Sequence, residues 1–405
     1  MALVIRNGPG RTRERHGVVD ESDGKTPLTN FASTKTGNLT VRHPLLELRL
    51  TPTTGLGLFA KCDVKRGSRL LSEAPLLLIP SSGPTTYQDL QQQLEKASPA
   101  EREALYGLQH DPELLSRNQV RQVRNYAVTI RKFAKDKDGL KSFVQTQAKA
   151  MAIFETNATK LVNKSGSAVF PLYSRINHSC TPNVYANYNP SLRTHTVHAI
   201  RDIEAGEEIL TTYIDSSQFF AGRDEDLKKY GFECACAFCQ SHEPSLLGPT
   251  TSDATKRDLR RAKINVVKRS LYAFEGEHAR ADGICAPRSP SEALDRAQDL
   301  IKLLREEGLL GMDLAQAYRW ASKYSLQFGV LEKARDYAQK EAEVELCCLG
   351  PETDYMGGSG NAASWLKHVQ ATAEKDKVKL RACEKRMAKE VKRMEKKAEK
   401  KAKKR

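Results

Sequence analysis

The chain has 405 residues, of which 39% are hydrophobic, and it carries a formal net charge of +15. This length and apolar content exclude a fully disordered chain and are enough for about two or three domains. Most of the charge lies at one end, because residues 375–405 hold 16 Lys and Arg against 5 Asp and Glu. The rest of the chain is only mildly basic, which weighs against a broad nucleic-acid-binding surface.

The N-terminal sequence predicts neither secretion nor membrane insertion. It has only a short apolar run before Arg6 and no small-residue cleavage site, so a signal peptide is not expected. No stretch approaches the ~20 apolar residues that a membrane helix needs. We therefore expect an intracellular protein, in the nucleus, the cytoplasm or both, whose nine cysteines are thiols or metal ligands rather than disulfides.

The first half of the chain reads as strands interrupted by a helical segment. Residues 1–42 lack apolar periodicity and are expected to form a disordered leader. The runs "LLELRL", "GLGLFA" and "SRLLSEAPLLLIP" follow, separated by Gly and Pro, and predict short strands. Residues 85–150 change to helical spacing, and strand patterns return in "TVHAI" and "EILTTY".

After His242 the sequence is helical in character. A helix is predicted from Ser289, a plausible N-cap, to Gly308. The following segment, "DLAQAYRWASKYSLQFGVLEKARDYAQKEAEVELCCLG", predicts two helices that meet near Gly329 and resembles one loose tetratricopeptide-type unit.

The basic tail, residues 375–405, is helix-prone but contains few apolar residues. It is expected to be a solvated helix or a disordered end. Its clusters of Lys and Arg also fit a nuclear import signal or weak contact with nucleic acid or another acidic surface.

Three cysteines form a C-x-C-x2-C pattern, Cys234, Cys236 and Cys239, that a short loop can direct at one metal ion. Zinc prefers four ligands, and Cys180 is the best candidate for the fourth because it lies in the polar loop "RINHSC". The other cysteines lie in strand-like or helical contexts, where we expect small buried hydrophobic residues: Cys62, Cys285, Cys347, Cys348 and Cys383. The alternative is a set of reduced thiols without metal.

Four motifs occur in order across about residues 43–242: "GLGLFA", "SRINHSCTPNV", "AGEEILTTY" and "YGFECACAFC". Together they resemble the SET-domain protein-lysine methyltransferases, especially the SET-and-MYND group and its fungal relatives. Residues 63–179 contain no cysteine, so the zinc module of the MYND type has no counterpart here. The resemblance implies transfer of a methyl group from S-adenosylmethionine to a protein lysine, with zinc in a structural role.

The patterns and the resemblance together predict an α+β protein. Its β-rich SET domain would contain a knot-like Asn-His-Ser-Cys loop and a helical insertion, followed by a zinc-binding post-SET segment and an all-α, tetratricopeptide-like C-terminal domain. The expected segments are a leader (1–42), the N-terminal SET part (43–84), the helical insertion (85–150), the SET core (151–215), the post-SET segment (216–243), the helical C-terminal domain (244–374) and the basic tail (375–405).

The resemblance also assigns roles by matching position. Tyr213 would be the catalytic tyrosine that orients the lysine amine, and Tyr230 and Phe232 would line the lysine channel, unless they are merely core aromatics beside a zinc loop. The cofactor-binding positions would be Gly55, Leu56, Gly57, Asn157, Asn177, His178, Tyr213 and Phe232. The zinc ligands would be Cys180, Cys234, Cys236 and Cys239.

The expected partner is a protein that presents a lysine, such as a histone or a ribosomal protein, and the chain is expected to be a monomer. A different possibility is a SET-fold scaffold protein that lacks turnover and recruits partners through its helical domain and tail. The chemically suitable residue at each matched position favours the enzyme. A nucleic-acid-binding protein led by the tail is a third possibility.

Overall fold

The computed structural model describes residues 31–33, 39–41, 43–51, 55–80, 86–110, 117–129, 136–161, 166–240, 253–276, 284–353 and 360–402. Within these residues the fold is mixed α+β, with short strands in the first half of the chain and helices in the second. Among the described residues, no helix combines the length and apolarity that crossing a bilayer requires.

The strands of the described residues are short. They are β1 (Phe31–Ser33), β2 (Leu39–Val41), β3 (Leu46–Thr51), β4 (Gly55–Ala60), β5 (Arg69–Glu73), β6 (Leu77–Ile79), β7 (Thr159–Lys160), β8 (Ser167–Val169), β9 (Asn177–His178), β10 (Val184–Asn189), β11 (Thr194–Ala199) and β12 (Leu210–Thr211). A short 3-10 helix, Tyr173–Arg175, precedes β9.

The strands form five small sheets in the described part of the chain. β1 pairs with β2, β3 with β4, β11 lies between β10 and β5, and β8 lies between β6 and β7, all antiparallel. β9 and β12 pair in parallel, although they are distant in sequence. The sheets enclose an apolar core that includes Leu46, Leu58, Leu71 and Val197.

The helices of the described residues are α1 (Tyr87–Lys96), α2 (Pro99–Tyr106), α3 (Arg117–Thr129), α4 (Lys137–Asn157), α5 (Phe220–Lys228), α6 (Ala237–Gln240), α7 (Asp253–Glu275), α8 (Pro290–Glu306), α9 (Met312–Gln327), α10 (Leu331–Leu349) and α11 (Ala362–Ala402). α1, α2 and α4 pack against β6 and β8 around Leu90, Leu105 and Phe154. The described parts of residues 85–150 are therefore mainly helical, and α4 continues to Asn157.

The C-terminal helices have their own apolar core and rest on the strands. Leu300, Trp320 and Tyr324 are buried among α7 to α10. The Cys347 thiol of α10 donates to the Ala199 carbonyl of β11 at 3.3 Å. The helical half and the strand half are thus packed together.

Several helix boundaries follow the sequence signals. The Ser289 hydroxyl accepts a hydrogen bond from the Glu292 amide and caps α8, as predicted. α8 ends before Gly308, which has φ +68°, and α9 and α10 meet at Gly329, which has φ +69°. These positive φ angles suit glycine because it has no side chain to clash with the backbone.

Two expectations from the sequence differ from the structure. Cys62 and Cys285 are exposed, whereas Cys347 and Cys348 are buried as expected, and the side chain of Cys383 lies outside the described part of the chain. Cys62 lies two residues beyond the end of β4, and Cys285 precedes α8, so neither faces a packed core. Two strands, β1 and β2, lie within the expected leader, most of which is outside the described residues.

Candidate active site

The parallel pairing of β9 with β12 brings the "INHSC" and "EILTTY" segments together. Asn177 lies opposite Leu210, and His178 lies opposite Thr211. The side chain of the buried Asn183 holds this arrangement, because its Oδ1 accepts from the Leu210 amide at 2.7 Å. Tyr213, two residues beyond β12, is thereby placed beside His178.

Hydrogen bonds fix Tyr213 at both its backbone and its hydroxyl. Its hydroxyl donates to the Ile176 carbonyl at 2.7 Å, and its amide donates to His178 Nδ1 at 3.1 Å. Burial raises the pKa of Tyr213 well above its ordinary value, so the phenol is neutral at pH 7. A neutral, immobilised hydroxyl is therefore available at this point.

Two further aromatic residues surround Tyr213. Tyr230 lies 5.4 Å from the Tyr213 ring, centroid to centroid, and Phe232 lies edge-on at 6.3 Å. The Tyr230 hydroxyl donates to the Tyr213 carbonyl at 3.3 Å. The structure thus gathers the three predicted channel aromatics into one cluster, with Tyr230 partly exposed to solvent.

The predicted cofactor-binding residues of β4 and β9 also meet. Asn177 Nδ2 donates to Glu208 Oε1 at 2.7 Å and lies 3.4 Å from the Leu56 carbonyl. A Cβ added to Gly57 would lie 2.4 Å from Glu208 Oε1, so any other residue at this position would have to displace the end of the Glu208 side chain. Glu208 is a site residue that the sequence interpretation missed, although it stands in the quoted "AGEEILTTY" motif.

Asn157 lies at the end of α4 and is more remote. Its Nδ2 donates to the carbonyls of Ile153 and Gln109, each at 2.8 Å. A Cβ added to Gly55 would lie 3.2 Å from Gln109 Nε2, so Asn157 and Gly55 share a neighbour. The structure brings Asn157 to the Gly55 side of the site but not into the tyrosine cluster.

The four predicted metal ligands converge. The sulfurs of Cys180, Cys234, Cys236 and Cys239 all lie within 4.8 Å of one another. The sulfurs of Cys180 and Cys239 are 3.6 Å apart, close to the ~3.8 Å expected between ligands of a tetrahedral site with Zn–S bonds of about 2.3 Å. The donor set and spacing therefore fit zinc.

The thiols of this cysteine tetrad influence one another's ionisation. Hydrogen bonds from Cys180, Cys234 and Cys239 lower the pKa of Cys236. Hydrogen bonding with the other three cysteines raises the pKa of Cys180 strongly. The tetrad can therefore lose all its protons only when a cation neutralises the accumulating charge.

His178 connects the cysteine tetrad with Tyr213. Because its Nδ1 accepts from the Tyr213 amide, its proton is on Nε2, which lies 3.4 Å from Cys180 Sγ. Burial lowers the pKa of His178 to about 4, so the ring is neutral at pH 7. One imidazole thus couples the predicted metal site to the predicted catalytic tyrosine.

Comparison with known proteins identifies the family. The SET domain profile matches residues 55–214. Histone-lysine N-methyltransferase set5 of Schizosaccharomyces pombe is 30% identical over 290 residues, which are 71% of this chain and 74% of that protein. N-lysine methyltransferase SMYD2 of Homo sapiens is 30% identical over 184 residues, which are 43% of this chain and 40% of SMYD2.

Among solved structures, that of Rubisco LSMT bound to AdoMet matches 82% of this chain and 88% of that one, with a TM-score of 0.32 and 13% identity. The similarity to set5 covers most of both sequences, and the profile match includes β4, β9, β12 and Tyr213. The chain therefore belongs to the SET-domain protein-lysine methyltransferases, which transfer a methyl group from S-adenosylmethionine to lysine.

Proposed function

We propose that the chain methylates a lysine of a histone-type protein at the tyrosine cluster formed by Tyr213, Tyr230 and Phe232. The observation that carries this proposal is the immobilised Tyr213 hydroxyl, held at 2.7 Å by the Ile176 carbonyl within an aromatic enclosure. The histone-type substrate is supported by the similarity to set5 over 74% of that protein.

The aromatic enclosure suits the chemistry of a lysine nucleophile. The amine attacks only when it is neutral, and its ordinary pKa near 10.4 must fall by about three units, or roughly 4 kcal/mol, for this to occur at pH 7. Tyr213, Tyr230 and Phe232 would desolvate the ammonium group and favour its neutral form. The Tyr213 oxygen would then orient the amine lone pair.

The predicted cofactor-binding residues of β4, β9 and the end of α4 would hold the cofactor. Asn177 would bind its polar groups. His178, whose two ring nitrogens already contact the Tyr213 amide and the Cys180 sulfur, would help to hold this wall of the cofactor site in place. The Gly55–Leu56–Gly57 backbone would allow the close approach of the cofactor. Asn157 would contact its amino-acid end. When bound, S-adenosylmethionine supplies an electrophilic methyl group, and the role of these residues is to bind and orient it and to exclude water.

The cysteine tetrad would hold a structural zinc ion. Its spacing fits zinc, and four protein ligands leave no open position for catalysis. A site of this type contributes roughly 10–16 kcal/mol of apparent binding free energy to folding. That energy would order the post-SET segment, residues 216–243, which carries Tyr230 and Phe232; its last residues, 241–243, lie outside the described part of the chain.

The remaining segments would serve substrate recognition. The helical C-terminal domain, residues 244–374, would form a tetratricopeptide-like wall of the substrate cleft, and α9 and α10 provide its helix pair. The basic tail, residues 375–405, would add weak contact with acidic or nucleic-acid surfaces. A monomer that works in the nucleus, the cytoplasm or both is consistent with this assignment.

A methylation assay with labelled S-adenosylmethionine tests the proposal. Tyr213→Phe is expected to reduce turnover on core histones by about 100-fold or more while S-adenosylmethionine binding changes little, because the orienting oxygen is lost. The Asn177→Ala, His178→Ala double variant, by contrast, is expected to lose binding in calorimetric titration.

Three outcomes would contradict parts of this proposal. Unchanged turnover by Tyr213→Phe would place the active site elsewhere. Methylation of ribosomal proteins but not histones would retain the mechanism and replace the substrate. A Cys180→Ser variant that binds zinc and resists heating like the unmodified protein would mean that the fourth ligand is another residue.

A further inference from the structure

Three arginines surround one phenylalanine inside the cysteine motif. Phe238, between Cys236 and Cys239, is buried in α6. The guanidinium carbons of Arg223, Arg257 and Arg261 lie 4.6, 4.2 and 4.4 Å from the centre of its ring. An aromatic face attracts one cation, but three neighbouring cations repel one another, so this arrangement requires nearby negative charge.

One buried carboxylate supplies part of that charge. Glu307, at the end of α8, has a fully buried side chain that accepts from Arg260 Nε at 2.6 Å and from Arg261 Nε at 3.1 Å. Arg257 Nε lies 3.7 Å from the same carboxylate. A single negative charge therefore faces three arginines of α7.

The positive charge of Arg223, on α5, is neutralised even less by neighbouring carboxylates. Its side chain is only 1% exposed, and Asp258 Oδ1 lies 3.4 Å from Nη1. Its Nε and Nη2 atoms have no oxygen acceptor among the described residues. Four arginines and two carboxylates leave two positive charges in this network, and three of the arginines lie against Phe238 in the cysteine motif. A zinc ion bound by four thiolates carries two negative charges.

Arg261 also connects the C-terminal helices to the backbone around the site. Its Nη1 donates to the carbonyl of the ligand residue Cys180 at 3.2 Å and to the carbonyl of Ser216, three residues after Tyr213. Its Nη2 donates to the Glu307 carbonyl at 3.3 Å. The side chain is fully buried, so these contacts form only when α7 is docked.

We propose that Arg223, Arg257, Arg260 and Arg261 form a counter-charge shell for a metal–thiolate cluster, and that this shell couples metal binding to the docking of α7. The inference rests on the proposed metal site. The dianionic cluster neutralises arginines that otherwise repel one another, and the arginines lower the free energy of the ionised thiolates. By thermodynamic linkage, metal binding therefore favours the docking of α7, and the docking of α7 favours metal binding.

Metal affinity in the full-length chain tests the shell. We would measure the zinc dissociation constant by competition with a chromophoric chelator in Arg257→Met and Arg223→Met. Each is expected to bind zinc about 10–100-fold more weakly, as is usual when a group beyond the ligands is removed. Arg257 is about one-third exposed, so its replacement is the safer variant for folding.

The chain offers a matched control on the same helix. Lys263 is exposed and pairs with Asp299 at 3.2 Å, away from the described contacts of the shell. Lys263→Met removes the same unit charge and is expected to leave zinc affinity within about twofold, as for other surface ion pairs. Arg257→Lys, which retains the charge, is expected to recover most of the affinity that Arg257→Met loses.

The outcomes separate this inference from the proposed metal site. A folded, unmodified chain that binds no zinc would overturn both. One zinc per chain with unchanged affinity in both Met variants would overturn the shell and leave the metal site intact. Equal losses in Arg257→Lys and Arg257→Met would indicate packing rather than charge, which also overturns it.

Hydrogen exchange tests the coupling to α7 directly. Removing zinc from the unmodified chain is expected to accelerate amide exchange in α7 more than in α9, because α7 carries three of the four shell arginines and α9 carries none. Exchange in α7 that is unchanged, or that accelerates no more than in α9, would contradict the coupling.

Discussion

At the scale of single residues, Gly57 marks the closest approach of β4 to the polar pair Asn177 and Glu208. A Cβ there would lie 2.4 Å from Glu208 Oε1 and 2.9 Å from Asn177 Nδ2. Gly57→Ala is therefore expected to displace Asn177 and weaken S-adenosylmethionine binding by at least about tenfold, the effect of one misplaced hydrogen-bonding group. Calorimetric titration would measure this loss.

Gly360→Ala is a suitable control, since a Cβ at Gly360 would meet nothing within 4 Å and its φ is not in the positive region. It is expected to bind the cofactor like the unmodified protein. Equal affinity in both variants would show that the Gly57 contact does not shape the cofactor site.

A second residue-scale prediction concerns the buried His195. Neither ring nitrogen has a hydrogen-bond partner among the described residues, and the ring stacks on Phe170 at 4.7 Å. Burial lowers its pKa from 6.5 to about 3. Between these pH values the unfolded chain binds a proton that the folded chain does not. The contribution of neutral His195 to the free energy of unfolding is thus complete above pH 6.5. It falls by up to about 1.4 kcal/mol per pH unit as the pH decreases toward 3.

His195→Phe keeps an aromatic ring in this position and removes the titration. Urea unfolding at several pH values between 7 and 4 is expected to show a shallower loss of stability on acidification than in the unmodified protein. An unchanged pH dependence would mean that His195 finds a partner for its proton in the folded state.

Glu73 has the opposite effect on the pH dependence of stability. A variant of His195 alone is therefore needed to isolate the contribution of His195. Burial raises its pKa to about 7, although its carboxylate accepts from the Leu172 and Tyr173 amides. Its contribution is complete below its ordinary pKa of 4.5 and is lost as pH rises toward 7. The two effects partly cancel in the unmodified protein.

At the scale of elements, Lys268 joins α7 to two other segments. Its Nζ lies 2.9 Å from Asp313 Oδ2 at the start of α9, and 3.3 Å from Asp215 Oδ2 just beyond Tyr213. Lys268→Met is expected to destabilise the protein by about 1–3 kcal/mol, because both carboxylates lose a partly buried partner. Denaturant unfolding would measure the difference.

Lys263→Met again provides the comparison, as Lys263 is an exposed lysine of the same helix. Its effect is expected to stay below about 1 kcal/mol, the usual limit for a surface ion pair. If the two lysine variants were equally stable, Lys268 would not contribute to docking α7.

An element could be predicted from the sequence when the residues that determine it lie close together in the chain. The "GLGLFA" strand follows from a short apolar run next to Gly and Pro, and the start of α8 follows from Ser289, because these signals lie within a few residues. The β9–β12 pairing could not be inferred from periodicity, since each strand has only two residues and its partner is remote in sequence. The family motifs alone indicated that these segments meet.

Buried polar residues escaped prediction for a related physical reason. Glu73, Arg223 and Arg261 are nearly inaccessible, yet charged residues normally lie at the surface unless distant partners satisfy them. Glu307, the partner of Arg261, is 46 residues away in sequence. In contrast, the cysteine spacing and the resemblance together predicted the tetrad, because three of its four members lie within one loop.

At the scale of the whole molecule, charge and packing are separated along α11. Val369 is buried, and Trp365 and Leu366 pack with it against α10. Residues 375–405, in contrast, contribute +11 of the net charge of +15. Deleting residues 375–405 is expected to leave thermal stability nearly unchanged. Binding to duplex DNA at low salt should weaken by more than about tenfold and lose most of its salt dependence.

Fluorescence anisotropy at two salt concentrations would test this, with the full-length chain as reference. The same salt dependence in both proteins would locate the basic surface outside the tail. Loss of thermal stability on deletion would instead mean that the distal part of α11 packs against the body of the protein.

The position of the cysteine tetrad in the chain also has an entropic consequence. Cys180 and Cys239 are 59 residues apart, and the segment between them contains β10 to β12, Tyr213, Tyr230 and Phe232. A cross-link that closes a loop of this length removes about 4 kcal/mol of conformational entropy from the unfolded chain. A metal ion at the tetrad would restrict the three aromatic residues before any substrate arrives. Although it would take no part in methyl transfer, it would lower the ordering cost of the lysine channel.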